Sequence, residues 1–136
     1  MRILIVTGWR GPLSEFQAGF VERAIDNALT PTTRIFVGDA DGVDAVARSV
    51  VTKPQWGRVE LSTYRANWDL LGRGAGPERN RRMVLDATSR ITDAPRLMAF
   101  PHPTKSRGTW DCIKQAAAAG IVCKVVSINM DKEVPR

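Results

Sequence analysis

The feature that most constrains this chain is the regular alternation of short apolar runs with segments of helical character. Apolar runs of strand length fall at 3–7, 34–38, 59–62, 97–100 and 121–128. Such an alternation is typical of a parallel sheet built from βα units, in which a helix connects each strand to the next. The sequence therefore predicts an α/β fold with about five parallel strands.

The segments between the runs carry helix signals. Ser14 and Gln17 form an S-x-x-Q capping box at the start of the first helix. Seven apolar residues follow at helical spacing and predict one core-facing stripe: Phe16, Phe20, Val21, Ala24, Ile25, Ala28 and Leu29. A second, short helix is expected from Asp41 or Gly42 to about Val51.

The second half of the chain predicts a long loop and two further helices. The loop spans 63–75, and Gly76-Pro77 then reads as a helix start, with Met83, Val84 and Ala87 facing the core. Thr109 is expected to cap a helix that runs to Ala119, and Gly120 to end it in the left-handed conformation.

These elements predict one Rossmann-like domain over residues 1–136, with a polar tail at 128–136. The expected strand order is 3-2-1-4-5, with helices on both faces of the sheet. A chain of 136 residues is an ordinary size for one domain, and 43% hydrophobic residues are enough for a core. The apolar run at the amino terminus lacks the pattern of a secretory leader, so we expect a cytoplasmic protein without a membrane span.

The net charge, the two cysteines and the single histidine limit the classes of ligand and partner that we expect. The net charge of +6 favours polyanions, either nucleotide phosphates or nucleic acid. Five arginines between positions 65 and 82 are either phosphate ligands or a solvated face. Two cysteines, Cys112 and Cys123, read as small buried hydrophobes, and His102 reads as a loop residue, so we expect neither a metal nor a cofactor.

Glycines and polar residues gather where three predicted strands end, at the edge where parallel sheets bind ligands. They are Gly8, Trp9, Arg10 and Gly11 after strand one, Gly38, Ala40, Gly42 and Asp44 after strand two, and Ser106, Arg107, Gly108 and Thr109 after strand four. Glycine permits close backbone approach, and helix starts offer N–H groups to anions. Neither the G-x-G-x-x-G fingerprint nor a P-loop is present, which disfavours a conventional dehydrogenase or P-loop ATPase.

Three ordered motifs resemble the YspA-type branch of the SLOG superfamily. They are G-x-A-x-G-V-D at 38–44, A-G-P-x-R-N-x-x-M at 75–83, and A-F-P followed by S-R-G-T-x-D over 99–111. That superfamily includes the Lonely Guy phosphoribohydrolases and the DNA-processing protein DprA. The resemblance covers about residues 2–127 and implies a Rossmann-like fold that binds nucleotides or their derivatives.

Two motifs are similar to those of the phosphoribohydrolases in detail. Arg79, beside Gly76, matches the arginine that acts at the ribosyl phosphate in their E-R-K-x-x-M helix start, whereas Asn80 replaces the lysine. Gly108-Thr109 is similar to the G-T of their phosphate-cradling loop. Their catalytic glutamate falls on Cys112, and a thiol cannot replace that carboxylate.

Two carboxylates are candidates to replace the missing glutamate, and each has a structural alternative. Asp111 is either a site residue or a first-turn acid favoured by the helix dipole. Asp44 either serves the site or completes a helix cap with Asp41. The positive charge of Arg79 at a helix start interacts unfavourably with the helix dipole, and a bound phosphate would offset this interaction. Trp9 either stacks on a base or covers the sheet edge.

Three functions compete. The first is binding of a nucleotide or nucleotide-derived small molecule, for sensing or sequestration, and loss of the glutamate favours it. The second is a nucleotide hydrolase that cleaves an N-glycosidic or phosphate bond. The third is single-stranded DNA binding in the manner of DprA, which the absence of aromatic residues interleaved with basic ones disfavours. The resemblance also makes a homo-oligomer plausible.

Overall fold

Five parallel strands form one sheet in the computed structural model, which describes residues 2–89 and 94–128. The strands are β1 (Arg2–Gly8), β2 (Thr33–Gly38), β3 (Glu60–Tyr64), β4 (Arg96–Phe100) and β5 (Val122–Val125). Their order is β3-β2-β1-β4-β5, which confirms the predicted α/β class, strand number and topology. In the central register, Ile5 of β1 lies opposite Phe36 on one side and Leu97 on the other.

Within the described residues, five α-helices connect or follow the strands. They are α1 (Glu15–Ala28), α2 (Val43–Val50), α3 (Trp68–Leu71), α4 (Ala75–Thr88) and α5 (Arg107–Ala118), with short 3₁₀ turns at Pro54–Trp56 and Gly72–Gly74. The capping box at the start of α1 is present, because Ser14 and Gln17 bond reciprocally to each other's backbone N–H. Gly120 follows α5 with φ of 82°, the left-handed stop expected from the sequence.

The core lies on both faces of the sheet because alternate residues of each strand point to opposite sides. Leu4 and Val6 belong to a buried cluster that packs against α1 and α2. Ile3 and Ile5 belong to a second cluster that packs against α4 and α5. The predicted inward side chains of α4, namely Met83, Val84 and Ala87, are all buried there.

The predicted loop at 63–75 is wrong in part. It contains α3, whose first turn is capped by the Asn67 side chain accepting a 3.1 Å hydrogen bond from Leu70 N–H. Helix α4 then begins at Ala75 rather than at Gly76-Pro77. Pro77 is compatible with the first turn, because the N–H that proline lacks is one that the helix does not use. The third strand also lies slightly later than expected, at Glu60–Tyr64 rather than 59–62.

The expected cap of α5 is also wrong. The helix begins at Arg107 with Ser106 as its N-cap, so Thr109 lies inside the first turn and is buried. Gly108 lies within the first turn, where it keeps its backbone N–H and carbonyl groups and costs the helix only conformational entropy. Similarly, Gly42 caps α2 with no side-chain hydrogen bond, so Asp44 does not complete a cap with Asp41.

Two predicted apolar positions of α1 face outward. Phe16 and Phe20 are 50% and 37% exposed, whereas Gln17, Val21 and Ile25 form the buried row. Each phenylalanine precedes a residue of that row, and one step along a helix rotates a side chain by about 100°.

The carboxyl-terminal segment differs from the prediction as well. The fifth strand ends at Val125 rather than at 128, and Ile128 is buried in the core rather than part of a polar tail. The predicted tail at 129–136 lies outside the described residues. Across the two described ranges, no helix has the length and apolar character needed to cross a bilayer.

Gly42 and Gly72 provide a matched test of close packing at the start of α2. Both have an unusual backbone conformation, with φ of 66° and 55° and ψ of −126° and −128°. A Cβ at Gly42 would overlap the carbonyl oxygen of Trp9, whereas a Cβ at Gly72 would meet nothing within 4 Å. We expect Gly72→Ala to lower the free energy of unfolding by about 1–3 kcal/mol through backbone strain. Gly42→Ala should cost more, because the Trp9 backbone must also move.

Urea denaturation of the two variants measures this difference directly, since both carry the same backbone strain. Equal losses of unfolding free energy would contradict the close approach of the two loops.

Candidate functional site

The loops after β1, β2 and β4 meet at the carboxyl edge of the sheet, as the parallel topology requires. Trp9 holds them together through its backbone, since its N–H donates to the Phe100 carbonyl and its carbonyl accepts from Val43 N–H, both at 2.9 Å. Gly8 leaves room for the Val43 side chain, whose Cβ would be 2.7 Å from any Cβ on that glycine. Gly8 and Gly42 therefore serve the packing of one loop against another.

The side chain of Arg79, which belongs to α4, lies against the end of β2 at Gly38. A Cβ on Gly38 would overlap its Nη1 atom, so the absence of a side chain there makes room for the guanidinium. Arg79 Nη1 lies 3.3 Å from Asp39 Oδ1, and its Nε donates to Asn80 Oδ1 at 3.0 Å. The Arg79 side chain is only 13% exposed. The cation expected to need a phosphate thus already has an acidic partner, and it is the fifth residue of α4 rather than part of the very start.

Asp44 is a buried carboxylate beneath this arginine. The residue is 5% exposed, and its Oδ2 accepts a 3.2 Å hydrogen bond from Ala40 N–H. Burial raises the pKa of Asp44 to about 6, although the positive charges of Arg79 and Arg48 and the Ala40 bond act in the opposite direction. Asp39 adds a smaller upward contribution to that pKa.

Arg48 fixes the backbone of the same loop. Its Nη1 donates to the Gly38 carbonyl at 2.7 Å and its Nη2 to the Ala40 carbonyl at 3.0 Å. These bonds hold the β2–α2 loop against the helix.

Asn80 and Asp111 join α4 to α5. The amide of Asn80, which is 2% exposed, donates to the Gly108 carbonyl at 3.2 Å and to Asp111 Oδ2 at 3.0 Å. Gln115 donates to the same Asp111 oxygen at 2.9 Å and to the Pro77 carbonyl at 3.1 Å. The structure therefore uses Asp111 as an acceptor between helices, and as the fifth residue of α5 it lies beyond the first turn where the helix dipole acts most strongly.

Cys112, which the resemblance predicts to stand where the phosphoribohydrolases have their glutamate, is completely buried. Burial raises the pKa of its thiol to about 12, against the lowering effects of a Thr7 hydrogen bond and the Arg79 charge. The thiol is therefore protonated near neutral pH and cannot act as a nucleophile or as an anion. The prediction of a buried, hydrophobe-like cysteine is confirmed for Cys112, whereas Cys123 is half-buried.

The start of α5 has a different character, because it is open and basic. The Ser106 hydroxyl accepts from His102 N–H at 2.6 Å and makes no cap bond to the helix, so no side chain caps the first-turn N–H groups. Lys105, Arg107 and Gly108 are exposed there. A depression of about 400 Å³ lies at this end of the helix, lined by His102, Pro103, Thr104, Lys105, Ser106, Arg107 and Trp110.

Trp9 covers the edge of the sheet with its indole. The ring packs on the first core cluster, and its centroid lies 4.7 Å from that of His102. Its Nε1 is buried without a hydrogen-bond partner among the described residues. Trp56, by contrast, donates its indole N–H to Asp26 Oδ1 at 2.7 Å, which is a structural role.

Five functional candidates were not evident from the sequence. Asp39 immediately follows a strand, and Arg48 lies one turn beyond Asp44, but nothing in the sequence relates either to Arg79. Lys105 directly precedes the predicted Ser106–Thr109 loop but was not singled out. The remaining two are Trp68 and Trp110, which are 46% and 44% exposed. A signal for Trp68 was available, because Asn67 before Trp68-Asp69 is a typical helix cap with an acid in the first turn.

No protein-family model matches this chain, and no curated protein is similar to it. Over residues 2–89 and 94–128, no group of three or more His, Cys, Asp or Glu side chains is placed to hold a metal ion.

The raised pKa of Asp44 predicts a pH dependence of stability. The folded chain binds this proton more tightly than the unfolded chain does, so ionisation of Asp44 destabilises the fold as the pH rises from about 4 to about 6. Asp44→Asn keeps an acceptor for Ala40 N–H and removes the titration. The free energy of unfolding of Asp44→Asn minus that of the wild type should therefore increase by about 2–3 kcal/mol as the pH rises from 4 to 7.

Denaturation of both proteins across this pH range gives the measurement. Asp41→Asn is the matched control, because it removes the same charge from an exposed position in the same loop. A difference between Asp44→Asn and the wild type that stays constant with pH would contradict a buried carboxylate with a raised pKa.

Proposed function

We propose that this protein binds a nucleotide or nucleotide-derived ligand at the carboxyl edge of its sheet, with the ligand's phosphate at the start of α5, and that it does so without turnover. The observation that carries the proposal is the uncapped, exposed first turn of α5 beside Lys105 and Arg107. Free backbone N–H groups and the positive end of the helix dipole favour an anion at such a position.

The surrounding residues support a phosphate there rather than at Arg79. Lys105 and Arg107 have no carboxylate partner among the described residues, whereas Arg79 is paired with Asp39. Gly108 adds space, since a Cβ at this position would meet nothing within 4 Å. An anion can therefore approach the α5 backbone without displacing a side chain or an existing ion pair.

Membership of the SLOG superfamily is part of the same proposal. It is supported by the Rossmann-like topology and by the position of Ser106 at the N-cap, and of Gly108 and Thr109 in the first turn, of the helix after β4. The replacement of lysine by Asn80 has a structural counterpart here, because Asn80 is buried and binds Gly108 and Asp111. Asn80 thus holds the start of α5 through hydrogen bonds, whereas a lysine at this position would contribute a positive charge.

Binding without hydrolysis follows from the state of the possible catalytic groups. The Cys112 thiol is buried and protonated near neutral pH. Asp111 already accepts two hydrogen bonds through one oxygen, and Asp44 lies buried beneath Arg79. An oxocarbenium-like transition state needs a carboxylate that reaches the sugar. Cys112 and Asp44 are buried, and Asp111 is held by Asn80 and Gln115 between the two helices.

The phosphate site is tested with inorganic pyrophosphate as the probe. We expect the double variant Lys105→Ala/Arg107→Ala to bind pyrophosphate about tenfold more weakly than the wild type, equivalent to about 1.4 kcal/mol, because two cations near the anion are lost. Isothermal titration calorimetry at low and at physiological ionic strength gives the affinities.

Lys114→Ala is the control, since Lys114 is an exposed cation further along the same helix. An equal loss in this control would indicate a general charge effect, and no binding to the wild type would refute the proposal. Single-stranded DNA that stays tightly bound at physiological salt would instead favour the DprA-like function.

The absence of turnover is tested by base release from adenosine monophosphate. We expect the wild type to release no free adenine above the level of buffer, as measured by chromatography. Asp44→Asn is included because Asp44, with its pKa of about 6, is the group best tuned for acid–base chemistry. Release by the wild type that Asp44→Asn abolishes would make the protein a nucleotide hydrolase.

A further inference from the structure

Trp68 is a large aromatic side chain that the packing of the core does not explain. It is the first residue of α3, follows β3 at the carboxyl edge of the sheet, and is 46% exposed. Its ring edge approaches Gly76 in the first turn of α4, where a Cβ would lie 3.4 Å from the ring. The Arg10 guanidinium, from the loop after β1, lies 5.4 Å from the ring centroid.

Polar groups surround this ring. Arg65, Ala66, Asn67, Trp68 and Asp69 line an open depression of about 450 Å³. Ala66 N–H donates to Asp39 Oδ1 at 3.4 Å, which joins the depression to the Arg79 cluster, and Arg82 donates to the Arg65 carbonyl. The Arg10 guanidinium lies over one face of the ring, polar groups lie at its rim, and nearly half of the side chain is exposed. Nucleobases stack on such exposed aromatic rings and on arginine guanidinium planes.

We propose that Trp68, together with Arg10, is the stacking platform for the base of a nucleoside di- or triphosphate whose phosphates lie at the start of α5. This inference rests on the phosphate site of the proposed function, and it adds the place of the base and the length of the ligand. Stacking is compatible with the loose packing of Trp68, because an exposed indole gains contact area when a base covers it.

The span between the two ends determines the class of ligand. Trp68 follows β3 and the α5 start follows β4, and the strand order β3-β2-β1-β4 separates these strands by three spacings. Three spacings correspond to about 14 Å between the ends of these strands. A chain of two or three phosphates covers the full separation of the strand ends, and a nucleoside monophosphate covers only part of it.

Trp110 is the competing aromatic side chain and therefore the best control. It is as exposed as Trp68, at 44%, but it lines the depression at the α5 start itself. A base stacked on Trp110 would lie beside the phosphate site, and a monophosphate would then be long enough.

The experiment compares ATP, AMP and inorganic tripolyphosphate by calorimetry on the wild type, Trp68→Ala, Trp68→Phe and Trp110→Ala. We expect the wild type to bind ATP about tenfold more tightly than tripolyphosphate, and more tightly than AMP. Trp68→Ala should lose the advantage of ATP over tripolyphosphate while keeping the wild-type affinity for tripolyphosphate. Trp68→Phe should retain most of that advantage. Trp110→Ala changes the lining of the phosphate depression, so it is judged by the ratio of its affinities for ATP and tripolyphosphate, which should stay close to the wild-type ratio. Circular dichroism verifies that each variant is folded.

The outcomes separate this inference from the proposed function. If tripolyphosphate binds but Trp68→Ala keeps the preference for ATP, or Trp110→Ala loses it, the base does not stack on Trp68. Equal wild-type affinities for ATP and tripolyphosphate, or for ATP and AMP, also overturn the inference and leave the phosphate site standing. If the wild type binds neither ATP nor tripolyphosphate, both proposals fail.

Discussion

The buried carboxylate of Asp44 is the constraint on which the carboxyl edge of the sheet depends. Removing a carboxylate from water costs several kcal/mol unless nearby groups compensate. The Ala40 N–H and the Arg79 guanidinium supply that compensation, and Arg79 fits only because residue 38 is a glycine. Gly38 therefore makes room for a side chain of the protein itself, whereas its place in a glycine-rich loop suggested close approach to a ligand.

The ends of β2 and β4 differ in how their charged groups are paired. Near the end of β2, the largely buried Arg79 is paired with the exposed Asp39, and Asp44 is buried beneath this arginine. At the end of β4, basic side chains and backbone N–H groups face solvent without such partners among the described residues. The cations of the first region thus have partners within the protein, and the second region is the surface at which we propose that an anion binds.

The fold was predictable because local signals and long-range packing agree. The Ser14–Gln17 capping box, the left-handed Gly120 and the continuous apolar strands all express preferences that act within a few residues, and the structure retains each of them. Phe16 and Phe20 were misassigned because a helix of apolar composition does not reveal which stripe the sheet covers. Gln17 takes a buried place instead, since its amide oxygen accepts Ser14 N–H.

The site was less predictable, because its contacts join residues far apart in the chain. The residue types at the strand ends were identifiable, but the pairing of Arg79 with Asp39 spans 40 positions. The role of Asp111 likewise depends on Asn80, 31 positions away in another helix. Single-sequence patterns report periodicity and caps, and they contain no information about which of several charged side chains will face each other.

The bonds of Asn80 and Gln115 have a mechanical consequence. Two amide side chains fasten the first turns of α4 to the backbone and to Asp111 of α5, so these two helix ends are tied as one unit. We therefore expect the amino-terminal ends of α4 and α5 to move as one body. Any displacement of the start of α5 would then also shift the first turn of α4, which the Trp68 ring approaches at Gly76.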